Sequence, residues 1–477
     1  MANGMRSLYS VLHLVAGTSL ALMPLSAHSA AWTFAPLLDT SVTYADNITL
    51  VENGKEADTV LGVRPAINVN AKGSRLDLGL MYQVDSRYYL QHSGNNNYHQ
   101  LMGANIDTVL VPDLLFLNGT GSLSHQAIDT KTSAGLGGLA VTENAGDVAT
   151  WTLSPYVERA LGTAAKIKAG FKSEFVDYTG VSRDSFSRER FVDVGSGSYY
   201  QKFAWDFSIT DKTIYYGGVE SDVTLLEKKL KLSYQFLPAW AVVGNAGQIH
   251  YNYVYDPTIA ATPSGNLWRV GVAWTPSSRT VVEVGAGEHF FGSTRYGKFL
   301  HQGRLTHVEA GYDETVSSQR QLQLEFAQKG TIDPVTQTPI PADARYLVEV
   351  TEVFISKRGS LEWGYKSPRM GFTVSAYQDR RFFQFTHGKE TVLGGETILE
   401  WISSPRVSMT LLYGRDSTSL IDGNKASNRN TAFSVRRIFS SRFYVSFEGR
   451  RGQFSSTDPA VTDSVAHLLT ARAVLTF

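Results

Sequence analysis

The feature that most constrains the fold of this chain is an alternation of apolar and polar residues with a period of two. It is clear in segments 76–84, 165–172, 320–328 and 443–448. This period is typical of β-strands that present one apolar and one polar face. Beyond residue 30, no segment shows the three-and-four spacing of an amphipathic helix. The chain is therefore predicted to be all-β.

Short and long polar segments separate the alternating segments, one kind following the other along the chain. Short turn signals recur about 38 residues apart, with two longer intervals; they are 72–74, 112–113, 161–162, 201–202, 238–239, 276–278, 314–316, 367–369, 404–406 and 440–442. Longer polar segments separate them, namely 47–58, 92–98, 129–147, 179–185, 211–220, 256–265, 292–298, 329–344, 386–390, 417–430 and 455–463. A unit of strand, short turn, strand and long loop, repeated about eleven times, accounts for the mature chain.

This repeat predicts a transmembrane antiparallel up-and-down β-barrel of about 22 strands, within a range of about 18–22. A β-propeller would need four short strands and a shared motif in each unit, and neither is present. Strands of about nine to eleven tilted residues cross a bilayer. The short turns are expected on the periplasmic side and the longer loops outside the cell, which predicts a bacterial outer-membrane location.

The two ends of the chain carry export and assembly signals. Residues 1–30 contain Arg6, the apolar stretch 8–25 and a run of small residues, and we interpret them as a cleaved secretory signal peptide. An uncleaved membrane anchor is the alternative. Residues 31–477 are then a single barrel domain. The last segment alternates apolar residues up to Leu475 and Phe477, which resembles the insertion signal that the barrel-assembly machinery recognises.

Alternation also divides the side chains between lipid and lumen. The residues expected to line the lumen are Arg87, Asp379, Arg381, Glu448, Arg450 and Arg472. Their ion pairs are expected to be surface-like, since the lumen of such a barrel is expected to be hydrated. Within 320–328, Leu324 is expected to face lipid and Gln323 the lumen. Aromatic residues near strand ends, such as Trp240, Trp274 and Trp401, are expected to form interfacial girdles.

Composition and motifs exclude several functional classes. Lys plus Arg and Asp plus Glu each number 44, so the chain lacks the basic excess of a nucleic-acid-binding protein. It has no cysteine, and no GxSxG, HExxH or P-loop motif is present. His289, His301 and His307 fall around one predicted hairpin without the spacing of metal ligands. No catalytic residue, cofactor or metal is therefore predicted.

The lumen of so wide a barrel has to be narrowed by something. The length leaves no room for an N-terminal plug domain of about a hundred residues beside some 22 strands. Inward-folding loops, lumen side chains or a partner remain as alternatives. Segments 129–147 and 329–344, the two longest predicted loops, are the candidates for constriction.

A family resemblance lies near the mature N-terminus. Trp32-x-Phe34-x-Pro36, followed by Tyr44-x-Asp46-Asn47-Ile48-x-Leu50, resembles the opening of outer-membrane β-barrel porins encoded with exopolysaccharide and PEP-CTERM systems. Segment 352–381 is similar to the second half of that family. The resemblance implies a porin-like channel in exopolysaccharide export, with polysaccharide and periplasmic export components as partners beside the lipid. A general diffusion porin for small solutes is the first alternative, and an outer-membrane hydrolase the second.

Overall fold

The computed structural model describes most of the chain beyond the N-terminal segment. The described residues are 30–127, 139, 145–178, 184–217, 222–255, 257–258, 262–318, 320–322, 324, 353–386 and 388–477. Residues 1–29 of the predicted signal peptide lie outside the described residues. The predicted constricting segment 329–344 and all of 129–147 except 139 and 145–147 lie outside them as well.

Twenty-two β-strands of 10 to 17 residues make up the described structure. They are β1 (Ala31–Ala45), β2 (Asp58–Lys72), β3 (Leu76–Tyr89), β4 (Asn97–Val111), β5 (Leu115–Ala127), β6 (Ala145–Leu161), β7 (Ala165–Tyr178), β8 (Ser185–Ser196), β9 (Phe203–Tyr216), β10 (Val223–Leu237), β11 (Trp240–Asn252), β12 (Ser264–Ser277), β13 (Thr280–His289), β14 (Gly292–Gln302), β15 (Thr306–Ser318), β16 (Val353–Lys366), β17 (Met370–Phe383), β18 (Lys389–Ser404), β19 (Val407–Ser419), β20 (Lys425–Ser440), β21 (Phe443–Ser456) and β22 (Ser464–Thr476). A single 3₁₀ turn at Ser93–Asn95 precedes β4.

The strands form one closed antiparallel sheet. Each strand pairs with its neighbour in the chain, and β1 pairs with β22 from Leu37 opposite Thr476 to Ala45 opposite Leu468. Closure leaves the sheet without an exposed edge, which a strand structure in lipid requires. The predicted up-and-down barrel of about 22 strands is confirmed.

One outer face shows how the strand pattern matches a bilayer. Along β12, the exposed row is Trp268, Val270, Val272 and Trp274. Two valines between two tryptophans place aliphatic groups where hydrocarbon would lie and aromatic rings at either border. Trp274 also stacks on Trp240 of β11, with ring centroids 5.7 Å apart. In the described part of the chain, no helix is both long and apolar enough to cross a membrane.

The prediction is wrong in the region of β13 to β15. Segment 292–298 was expected to be a loop but forms most of β14, and segment 314–316 was expected to be a turn but lies within β15. The connections are a two-residue link at 290–291 and a short turn at 303–305. Gly292 has φ +110°, a conformation that suits glycine and permits so tight a link. The prediction failed because this external connection has only two residues, whereas every external connection was expected to be long.

The strand expected at 320–328 is also wrong. Residues 320–322 and 324 are helical, and Leu324 is buried against side chains of β6 and β7 instead of facing lipid. Gln323, its expected lumen-facing neighbour, lies outside the described residues. Leu322 and Leu324 lie on opposite sides of the helical turn, and each packs against its own apolar partners. Over so few residues, this spacing looks the same as the alternation of a strand.

Candidate functional site: the lumen and its external mouth

Two of the six predicted lumen residues lie in one network of charges on the buried faces of β22, β1, β2 and β3. Arg472 donates through Nε to Asp39 at 2.8 Å. Arg64 lies 3.7 Å from Asp39 and donates to Asp85 at 2.7 Å. Asp85 also accepts from Arg87, at 2.6 and 2.9 Å. Alternating charges therefore run across the closing seam, from Arg472 to Arg87.

Asp379 and Arg381 lie in a second network, on β17 and β18. Arg381 donates to Asp379 at 2.9 Å and to Glu390 at 3.0 Å, and Ser356 donates its hydroxyl to Asp379 at 2.6 Å. Asp379 is 0% exposed and Arg381 1%. The expectation of surface-like ion pairs is wrong at this position, since neither charge is hydrated and each depends on its protein partners.

Glu448 and Arg450 form an ion pair on β21. Arg450 donates to Glu448 at 2.8 Å, and the two side chains are 15% and 14% exposed. Alternation therefore placed all six residues on the polar faces of their strands. It could not show which of them share a network, because that depends on the register between strands.

A third network surrounds Glu174 on β7. Glu174 accepts from Lys172 at 2.6 Å, from Lys212 at 2.7 Å and from Ser187 at 2.9 Å. Arg320, which follows β15, reaches the same carboxylate at 3.1 Å and donates to the main-chain carbonyl of Glu174 at 3.0 Å. Its Nε also donates to Ser185 at 2.8 Å. Arg320 thus ties the segment after β15 to the distant strands β7 and β8.

Apolar side chains accompany this tie on both sides. Leu322 packs with Phe354 and Phe383 of β16 and β17. Leu324 packs with Val148 and Val176 of β6 and β7. One helical turn therefore joins two separate parts of the barrel wall at its external end.

A further apolar cluster fills the external end of the seam. Ile48 from the first external loop and Leu139 from the third lie with Tyr89, and the cluster is completed by Ala45, Val60 and Leu468. The Tyr89 hydroxyl donates to the carbonyl of Leu139 at 2.8 Å. Leu139 belongs to segment 129–147, one of the two predicted constricting loops. Three external segments thus contribute apolar side chains to what we call the mouth, meaning the clusters around Ile48, Leu139, Leu322 and Leu324.

Below the mouth, a polar cavity of about 1070 Å³ lies against β6 to β14 toward their periplasmic ends. Its ionisable lining comprises four basic and four acidic residues: Lys166, Lys168, Lys231 and Arg269, against Glu158, Asp193, Asp206 and Glu283. Balanced charge gives the cavity no strong overall preference for anions or cations. The cavity is suited to neutral or weakly charged hydrophilic molecules.

The residues that carried the N-terminal resemblance lie along the same seam. The Pro36 carbonyl accepts the N–H of Phe477 at 3.0 Å. Asn47 donates its amide to the carbonyl of Val465 at 3.1 Å, and Asp46 accepts both the N–H and the ring of His467 at 2.7 Å. Partial burial opposes ionisation of Asp46, but the hydrogen bonds from His467 outweigh it and hold its pKa below the ordinary value. In this chain, those residues join the first strand to the last.

The histidines singled out by the sequence are not brought together. His301 contacts Thr280 at 2.9 Å and His307 contacts Glu362 at 2.7 Å, while His289 stacks on Phe291. A different group, His99, His125 and Asp147, does meet. Sequence spacing gave no indication of it, because the three residues come from three strands whose register decides the contact.

Comparison with solved structures places the fold among outer-membrane barrels. The FrpB iron transporter of Neisseria meningitidis (F3-3 variant) superposes with a TM-score of 0.51 and 9% identity, over 95% of this chain and 82% of that one. The siderophore receptor PirA of Acinetobacter baumannii gives 0.50 and 8%, over 94% and 81%. The outer membrane protein opdK of Pseudomonas aeruginosa gives 0.37 and 9%, over 93% and 99%. No family model and no curated protein matches the sequence significantly.

At such identities the likeness concerns the fold alone. It agrees with the closed sheet, the apolar outer rows and the polar interior described above. The protein is a closed 22-stranded β-barrel of the bacterial outer membrane.

Proposed function

We propose that the protein is a porin-like channel that takes part in exopolysaccharide export. The observation that carries this proposal is a charge-balanced cavity, together with the apolar clusters of the mouth at the external end of the barrel. Sugar polymers are hydrophilic and mostly of low charge density, so a lumen without a strong fixed field suits them. The resemblance of the opening motif to barrels encoded with exopolysaccharide systems selects this cargo.

The lumen also offers aromatic faces of the kind that sugars stack on. Tyr156 stacks with Phe116, with ring centroids 5.2 Å apart, and Lys168 lies 4.1 Å above the Tyr156 ring and 5.8 Å above that of Phe191. Tyr296 lines the cavity next to Arg269. A polymer that slides through a channel needs weak contacts. Aromatic rings supply stacking, and the charged groups beside them supply hydrogen bonds that exchange readily.

The mouth would then act as the gate of the channel. Its contacts combine a few apolar side chains with the ion pair between Arg320 and Glu174. Apolar constrictions close pores by excluding water, and limited contact area lets them reopen. Periplasmic export components are the partners we expect to deliver the polymer and favour the open state.

Deletion of the gene in its host tests the proposal directly. We expect secreted polymer to fall while uptake of small solutes is unchanged, and plasmid-borne protein to restore secretion. As a matched control, the Arg304→Ala variant, altered in the periplasmic turn at 303–305, should restore it as well. Normal secretion in the deletion strain would overturn the role in export.

A general diffusion porin is the second candidate, and the cavity volume favours it. About 1070 Å³ accommodates a small solute, since pockets for such molecules span roughly 300–1,000 Å³. Proteoliposomes that swell in small sugars, together with normal polymer secretion in the deletion strain, would select this function. We propose no enzymatic activity, cofactor or nucleic-acid partner for the barrel.

A further inference from the structure

Three potential metal ligands meet near the external ends of β4, β5 and β6. Asp147 Oδ1 lies 2.8 Å from Nδ1 of His125 and 3.6 Å from Nδ1 of His99. Within the described residues, these side chains form the one group of three or more His, Asp or Glu residues whose ligand atoms all lie within 4.8 Å of one another.

The spacing of these atoms suits a tetrahedral ion. Bonds of about 2.0–2.2 Å to imidazole nitrogen and carboxylate oxygen place neighbouring ligand atoms about 3.3 Å apart. The distances of 2.8 and 3.6 Å lie on either side of this value. Small side-chain rotations, without strand movement, would therefore bring the three atoms around one ion.

The arrangement of the two rings is the second observation. The imidazoles of His99 and His125 stack with centroids 3.7 Å apart and an interplanar angle of 23°. Each ring directs its Nδ1 toward Oδ1 of Asp147. Two imidazole nitrogens and one carboxylate oxygen therefore lie close together, as the ligands of a single ion do.

We propose that His99, His125 and Asp147 bind a borderline divalent cation of the zinc type, with a fourth position open to water. Two imidazoles and one carboxylate are a ligand set that Zn²⁺ accepts and that Ca²⁺ and Mg²⁺ avoid. The ion clamps the end of β5 to the start of β6, which are the two ends of segment 128–144. Residue Leu139 of that segment contacts Tyr89 in the mouth.

The test uses untagged full-length barrel refolded in detergent, so that no added histidines bind metal. Co²⁺ titration with visible absorption and Zn²⁺ competition report stoichiometry and affinity. We expect one ion per chain, the intense visible bands of tetrahedral Co²⁺, and a higher melting temperature with Zn²⁺. Mg²⁺ should not compete, because its preferred ligands are oxygen atoms.

Variants distinguish this site from adventitious binding. His99→Gln and His125→Gln should each weaken binding by at least about tenfold and abolish the thermal shift, because loss of a second-shell partner alone costs about 10–100-fold. His307→Gln is the control, since His307 has a carboxylate at 2.7 Å but belongs to no such group of three among the described residues. Gel mobility of unheated samples verifies that each variant is folded. Absence of binding to folded wild type, or equal affinity in all variants, would overturn the proposal.

Discussion

Arg381 is the largest fully buried side chain in the described part of the chain. The cost of burying this guanidinium is offset because Asp379 and Glu390 accept its hydrogen bonds. Its guanidinium also lies over the ring of Phe354, 5.4 Å from the centroid. Arg381 therefore stabilises the barrel wall from β16 to β18.

Removing this charge should destabilise the barrel. In Arg381→Ala we expect the free energy of unfolding to fall by about 3–5 kcal/mol, because two buried carboxylates lose the cation that pairs with them. The matched variant Arg450→Ala should lose only about 0–1 kcal/mol, because its pair with Glu448 is partly hydrated. Guanidinium titration followed by tryptophan fluorescence measures both. Equal losses would show that burial does not distinguish the two pairs.

For single residues, the sequence predicted only the face of the strand on which each one lies, because this is all that alternation determines. Period two assigned Arg381 and Arg450 to the polar face, since side-chain direction follows from parity alone. It could not separate a buried charge from a hydrated one, because Glu390 and Ser356, which contact Arg381 and Asp379, lie on other strands. His99 and His125 were missed for the same reason, being 26 residues apart on separate strands.

Among the elements, β12 gives the clearest test of which face meets lipid. Val270 is 53% exposed and lies between Trp268 and Trp274 in the outer row. Val270→Arg should reduce the free energy of unfolding in lipid vesicles by about 2–4 kcal/mol, the cost of a cation at mid-membrane depth. Asn245→Arg, in the polar cavity lining of β11, is the control and should be tolerated. Similar losses for the two variants would contradict the assignment of the faces.

The helical turn after β15 should restrict the channel. Arg320→Ala removes the tie to Glu174, which keeps its bonds to Lys172 and Lys212, so the wall should stay folded. We expect more frequent or larger openings in planar-bilayer recordings, because the turn then loses its charged contact with the wall. Arg304→Ala serves as the control and should record like wild type. Unchanged conductance in Arg320→Ala would mean that this turn does not limit flow.

Among the elements, this helical turn is the one that the sequence predicted wrongly as a strand. Leu322 and Leu324 alternate with polar residues as a strand would, and only their contacts with opposite parts of the wall distinguish a helical turn. Over fewer than two helical turns, periods of 2 and 3.6 residues cannot be told apart. The longer strands elsewhere repeat the pattern often enough to settle the class.

At the scale of the whole molecule, strand number and closure were predictable because a membrane barrel repeats one unit. The hypothesis that the C-terminus directs insertion belongs to this scale. Phe477 is exposed, and its N–H donates to Pro36, so the last residue extends the pairing of the closing strands. The role of Leu475 and Phe477 in recognition by the assembly machinery remains a prediction.

Deleting Phe477 should lower the amount of heat-modifiable, membrane-inserted barrel in cells and leave periplasmic aggregate. Phe477→Tyr keeps an aromatic terminus and should insert like wild type. Outer-membrane fractionation with unheated and heated gel samples measures both. Normal membrane levels of the truncated chain would contradict the insertion hypothesis.

The closing seam has a consequence for the kinetics of folding. Asp39 and Arg472, which bond across it, are 433 residues apart in sequence. Bringing such ends together costs about 3 kcal/mol more in chain entropy than closing a hairpin of about 15 residues. We expect the nearest-neighbour hairpins to form early and the contact that removes the two open edges to form last. Until then we expect the chain to be an open sheet whose two unpaired edges are prone to aggregation.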